Sequence, residues 1–163
     1  MRGLIASVYM DNIPAPVVQA QRAVLEALAP ADFELRQLLT RHPHGEALDE
    51  LISLADAELI VILDIDCVPM TPAAIPELAA RAEAGSLAGC VQRANHIAND
   101  AHLYVGAFCL AISRSLWERL GRPSFRPTAR FASACALASD SMPDLMLFRT
   151  VSGVMPCSRL YAS

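Results

Sequence analysis

The sequence predicts a layered α/β fold with a largely parallel sheet, and two observations carry that expectation. Leu59-Ile60-Val61-Ile62-Leu63 is an unbroken apolar run, mostly β-branched or leucine, as in a strand buried on both faces. Around it, strand-like and helix-like segments alternate as β-α-β-α-β-α-β up to residue 92, the order that parallel crossover connections produce.

Each element has its own signal. Gly3 to Met10 is a short apolar segment, read as the first strand and ended by Asp11-Asn12. Pro14 and Pro16 open a helix, because proline is tolerated in a first helical turn. Val17, Val18, Val24, Leu25 and Leu28 mark its expected buried stripe, and Pro30 stops it. Phe33 to Leu39 reads as a second strand, and Arg41 to Gly45 as a loop. Leu48, Leu51, Ile52 and Ala55 recur at helical spacing, and the apolar run at 59–63 follows as the central strand. Thr71-Pro72 has the form of an N-cap with proline at the first helical position. Ile75, Leu78, Ala79 and Ala82 give that helix its apolar face, and Gly85 ends it. Leu87 to Gln92 and Leu103 to Ile112 read as strands, and Ser113 as the cap of a short helix that Gly121 terminates. After Arg126 the chain changes character: Ala, Ser and Arg dominate and no period persists.

Composition excludes several classes. At 163 residues a single domain can bury roughly 70% of its unfolded surface. With 54% hydrophobic residues the chain is not a disordered one. No apolar run approaches the ~20 residues of a membrane-spanning helix. The N-terminal apolar stretch meets Asp11 too soon for a signal peptide, so a first strand is expected there. A net charge of −4 argues against a nucleic-acid surface. All 13 basic residues are arginine, so a phosphate would be held by arginine, backbone N–H or metal. Cys67, Cys90, Cys109, Cys135 and Cys157 are odd in number and contain no C-x-x-C pair. They read as thiols, and a reducing, cytoplasmic setting is the expectation.

The chemistry concentrates at Asp64-Ile65-Asp66, directly after the central strand. In extended backbone the i, i+2 spacing points both carboxylates to one side. Two like charges side by side are costly unless a cation joins them, and a divalent ion carrying a phosphate is the natural partner. In open α/β sheets ligands gather at the carboxyl ends of strands, so Asp11-Asn12, Thr40-Arg41 and Asp64-Asp66 are expected on one edge.

Several blocks extend this. The stretch from Leu63 to Pro72 is followed by Gly89 to His96, by Tyr104-Val105-Gly106, and by Ala111 to Phe125. In this order they resemble a nucleotide-sugar glycosyltransferase of the GT-A type, over roughly residues 3 to 128. The resemblance implies a single three-layer α/β/α domain with a mixed, mostly parallel, Rossmann-like sheet over 1–163. It implies Mn²⁺ or Mg²⁺ held by Asp66, with Asp64 on the metal or the ribose. Tyr9, Asp11 and Asn12 would face the base of a UDP- or GDP-linked sugar, and Arg93 would pair with the phosphates. Gln92, Asn95, His96 and Gly106 would meet donor or acceptor. The acceptor is unspecified, and a homo-oligomer is a further expectation. For His42, His44 and His102, surface or capping roles are expected; for Trp117, core packing.

The chain departs from the family pattern toward its end. No Asp or Glu lies between Glu118 and Asp140, and no His follows His102. Asp140 and Asp144 are the remaining acidic candidates for a catalytic role, and a divergent, truncated or frameshifted segment 126–163 is the alternative expectation. Two rival readings stand beside the transferase. One is a catalytically silent nucleotide-binding domain of the same fold. The other is a haloacid-dehalogenase-type phosphatase, whose D-x-D-x-[TV] segment resembles Asp64-Ile65-Asp66-Cys67-Val68 and would make Asp64 a nucleophile. The absence of any lysine and a D-x-D on the third strand count against that rival.

Overall fold

The computed structural model describes residues 3–93 and 103–126. The elements run β1 (Gly3–Tyr9), α1 (Ala15–Leu28), β2 (Phe33–Leu39), α2 (His44–Leu54), β3 (Leu59–Leu63), α3 (Ala74–Glu83), β4 (Ala88–Arg93), β5 (Leu103–Ser113) and α4 (Arg114–Arg119). The strands form a five-stranded sheet in the order β2-β1-β3-β5-β4. β1 pairs in parallel with β2 and with β3, while β5 runs antiparallel to both β3 and β4. Every strand but β5 therefore points the same way.

β3 lies at the centre, and all five of its residues are buried, as its uniform apolar run requires. Alternate side chains feed two cores. Leu4, Ala6, Ile60, Ile62, Leu110 and Ile112 pack against Leu48 and Ile52 of α2 and Leu116 and Trp117 of α4. Ile5, Leu59, Val61, Leu63 and Ala111 pack against Leu25 of α1 and Ile75, Leu78 and Ala82 of α3. The helices thus cover both faces, giving three layers, and successive parallel strands place α1 and α2 on opposite sides of the sheet.

Three local expectations are corrected. The buried positions of α1 are Gln21 and Leu25, whereas Val17 is exposed. Gln21 can occupy the core side because its amide is fully engaged there, which offsets the desolvation of a polar group. α2 begins at His44, inside the segment read as a loop. α3 begins at Ala74 with Ala73 in the cap position, so Thr71 is not the cap; the Ala74 N–H instead bonds the Thr71 carbonyl in a lead-in turn. Its buried face is as the periodicity predicts, Ile75, Leu78, Ala79 and Ala82, and Gly85 ends it with φ of 82°. In the sheet, β4 does not lie beside β3. The β3-α3-β4 crossover skips one position, and β5 fills it with an antiparallel strand. Gly89 stands at a register irregularity of the β4–β5 pair, where any Cβ would run into the Cys109 carbonyl.

α4 is capped as predicted: Ser113 Oγ accepts from the Leu116 N–H at 3.3 Å. Trp117 is buried, and its Nε1 donates to the Pro123 carbonyl at 3.3 Å. The following segment docks on α2, where Asp49 accepts from Ser124 Oγ at 2.6 Å and from the Phe125 N–H at 2.7 Å. Gly45 permits this approach, since a Cβ there would meet the Phe125 carbonyl oxygen.

Candidate functional site: the carboxyl edge of β1 and β3

The chain leaves β1 through α1 to β2 on one side and returns through α2 to β3 on the other. β1 and β3 therefore flank the topological switch point, the place where an open α/β sheet leaves a crevice at its carboxyl edge. Tyr9, half-buried, is the last residue of β1, and Asp11 and Asn12 are exposed in the turn that follows. The Thr40 N–H donates to the Tyr9 carbonyl at 2.8 Å, which ties the end of β2 to the end of β1.

Asp64 and Asp66 follow β3 on this edge. The backbone is not extended there: the Cys67 N–H donates to the Asp64 carbonyl at 2.8 Å and closes a turn over 64–67. Ile65 and Cys67 turn into the protein, each 7% exposed, while Asp64 is half-buried and Asp66 exposed. The premise of extended geometry is thus replaced by a turn that presents both acids on the outer side. A further bond, from the Asp64 N–H to the Phe108 carbonyl at 2.8 Å, fixes the turn against β5.

Within the described residues, the cationic partner that faces this pair is a histidine, His44, beside Asp64. Burial pushes the Asp64 carboxyl above its ordinary range, His44 draws it back, and Asp66 raises it again. His44 Nε2 lies 3.7 Å from Asp64 Oδ1, at the start of α2. Among the described residues neither carboxylate forms a salt bridge with an arginine. Nor do the described residues hold a cluster of three or more His, Cys, Asp or Glu placed for a metal ion. Two carboxylates fit a hard cation that keeps waters and takes its other ligands from a diphosphate, as Mg²⁺ does, and do not fit an all-protein cage.

The turn is braced from beneath. Gln21 Nε2 donates to the Asp64 carbonyl at 2.7 Å and to the Cys67 carbonyl at 3.0 Å. Its Oε1 accepts from Gln37 Nε2 at 3.0 Å, and the same Gln37 nitrogen donates to the Val18 carbonyl at 2.9 Å. Ser7, in register with Gln37 on the neighbouring strand, is fully buried. Ser7 Oγ and Gln37 Oε1 are buried without a bonding partner among the described residues. The sequence reading missed both Gln21 and His44. The available signal for Gln21 was its spacing of 4 from Val17 and Leu25, which puts a polar residue in the middle of an apolar stripe.

The other predicted site residues are placed as follows. Gln92 and Arg93 end β4, whose carboxyl end points the same way as that of β3; Gly106 is buried in β5. Asn95, His96, Asp140 and Asp144 lie outside the described residues. Cys67 and Cys109 are buried, and the Cys109 thiol is pushed up by a hydrogen bond with Cys67 and by burial, as expected of inert core thiols.

A separate cavity of about 240 Å³ lies between α2 and α4, lined by Asp49, Ser53, Arg114, Trp117 and Arg122 among others. Its charged groups already have partners. Arg114 bonds three backbone carbonyls, Asp49 holds the 124–125 backbone and side chain, and Arg122 pairs with Glu118 at 3.2 Å. These contacts make it a structural seam.

No protein-family model matches the chain, and no curated protein matches it. Among solved structures it is similar to the mannosyltransferase PcManGT from Pyrobaculum calidifontis in complex with GDP-Man and Mn²⁺, with a TM-score of 0.52 and 16% identity over 74% of this chain and 46% of that one. It is also similar to A197 from STIV, with a TM-score of 0.48 and 19% identity over 76% of this chain and 70% of that one. The chain thus spans about half the length of the mannosyltransferase, 46%. The likeness to the mannosyltransferase is one of fold alone, in keeping with the mixed α/β sheet described above. Among the described residues no helix is long and apolar enough to cross a membrane.

Proposed function

We propose that the chain binds a nucleoside-diphosphate sugar together with Mn²⁺ or Mg²⁺ at the carboxyl edge of β1 and β3, and transfers the sugar to an acceptor. One observation carries this reading: two acids on one turn at the switch point, the inner one pushed up by burial and by its neighbour, with no arginine paired to either among the described residues. A site of this kind is stabilised by binding a cation. The mannosyltransferase of similar fold, seen with GDP-Man and Mn²⁺, supports the choice of ligand class.

In this reading Asp66, the exposed member, ligates the ion, and Asp64 contacts the ion or the ribose. Tyr9, Asp11 and Asn12, at the end of β1, meet the base. Arg93 and Gln92, at the end of β4, and Gly106 on β5 lie on the phosphate and sugar side. The chemistry that a divalent ion supplies at this edge is stabilisation of the charge developing on a diphosphate leaving group.

Calorimetric titration with UDP and GDP in the presence of Mn²⁺ is the direct test. Binding that requires Mn²⁺ and is abolished by Asp66→Ala, with the fold unchanged, is expected; unchanged affinity in that variant refutes the assignment. Hydrolysis of a donor sugar nucleotide then separates a transferase from a silent binding domain. Mg²⁺-dependent phosphatase activity lost in Asp64→Asn, without nucleotide affinity, would instead establish the dehalogenase-type reading.

A further inference from the structure

We infer that Gln21 is a positioning residue for the acidic turn: its neutral carboxamide fixes the backbone that carries Asp64 and Asp66 while leaving their charge for a cation. This deepens the proposed site and rests on it. Gln21 lies in the middle of α1, 1% exposed, and 43 residues before the turn it holds. One –NH₂ group reaches both the Asp64 and the Cys67 carbonyl, at 2.7 and 3.0 Å. Those two residues are the first and last of the turn, so both of its ends are pinned by one side chain. The amide can face only this way, because its oxygen could not sit against two carbonyl oxygens. Gln37, on β2, holds that oxygen in turn, so the brace runs from sheet to helix to turn.

Core packing alone does not call for a glutamine. Methionine has nearly the same length and volume and carries no polar group to desolvate. A cationic side chain would hold the two carbonyls equally well, but its charge would compete with a metal ion for the acids. A neutral double donor is the side chain that orders this turn and adds no charge beneath its carboxylates.

The test uses the whole chain with Gln21→Met, which keeps the shape and loses the donors, and Gln21→Glu, which loses donation when ionised and adds charge beneath the turn. Leu25→Ala, one helical turn along and equally buried, serves as the control for simple destabilisation. Free Mn²⁺ is followed by electron paramagnetic resonance with GDP or UDP present, and hydrogen exchange of the Cys67 amide is compared with that of Val61 in β3. We expect Gln21→Met to weaken Mn²⁺–nucleotide binding tenfold or more and to raise the Cys67-to-Val61 exchange ratio about tenfold. Gln21→Glu should weaken binding further, and Leu25→Ala should move neither quantity by more than twofold. If either Gln21 variant fails to fold, Gln37→Met decides, with a two- to threefold shift of both readouts in the same direction. Affinity or exchange ratio within twofold of the parent chain, in folded Gln21 variants, overturns the inference. A parent chain that binds neither nucleotide with Mn²⁺ refutes the site reading instead, and the exchange ratio then still decides whether Gln21 holds the turn.

Discussion

The two ends of β3 are anchored by the same device, with a cation at one end and a neutral amide at the other. At the amino end, Arg114 reaches across from α4: its Nε donates to the Ala57 carbonyl at 3.0 Å, and its Nη2 to those of Ile52 and Ala55 at 2.9 and 2.6 Å. At the carboxyl end, Gln21 donates to two carbonyls of the acidic turn. In both places a distant side chain collects backbone acceptors that no helix or strand satisfies. A cation suits the first because the carboxyl end of α2 carries the negative pole of the helix and its orphan carbonyls. A neutral amide suits the second because charge there would cancel the acids outside the turn. The difference separates an end whose brace is charged from an end whose brace adds no charge beside the acids.

Variants that break the comparison should differ most in stability. Arg114→Met removes all three bonds and is expected to cost about 3 kcal/mol, read from urea unfolding midpoints. Arg114→Lys should recover less than half of that, since an ammonium lacks the planar fork. Gln21→Met should cost about 1–2 kcal/mol, less than Arg114→Met, because the three bonds lost are all between neutral groups. A loss at Gln21 equal to the loss at Arg114 would show that the two ends of β3 are braced with the same strength. Ser113→Ala, which removes the α4 cap beside Arg114, should cost about 1 kcal/mol by thermal denaturation.

The smallest effect is a gain. The Asp64 carboxyl is raised in the folded chain, so its contribution to stability is complete below the ordinary carboxylate range and is lost as pH rises through the raised value. Asp64→Asn should therefore flatten this part of the pH–stability curve and leave the metal-free chain slightly more stable at pH 7. The side chain is 37% exposed, and with solvent screening the gain should stay below about 1 kcal/mol. A variant less stable at pH 7 than at pH 4, by as much as the parent, would show that Asp64 is not the group responsible.

The sequence made the fold legible wherever burial is uniform or periodic. The apolar run at 59–63 is β3, and the spacing of Ile75, Leu78, Ala79 and Ala82 is the buried face of α3. It misled where a polar residue is buried because it has partners elsewhere in the chain. Gln21 interrupts the stripe of α1, and its partners lie 43 and 46 residues away. Thr71-Pro72 has the right composition for a cap, yet the helix starts at Ala74, because a local signal does not record how the preceding turn is closed. The position of β5 was also hidden, since neighbours in a sheet are chosen by long-range pairing. At the site, the D-x-D pair was visible as residue types, but its turn geometry and the nearness of His44 to Asp64 required three dimensions.

The late arrival of β5 has a consequence for biogenesis. β3 and β4 are translated first and share no hydrogen bonds; each pairs with β5. Until residues 103–113 emerge from the ribosome, the nascent chain carries the unpaired flank of its most apolar strand, the kind of surface that recruits other strands. β5 is thus the keystone that closes the sheet, and release of the polypeptide before it is made should yield aggregate in place of a smaller soluble fold.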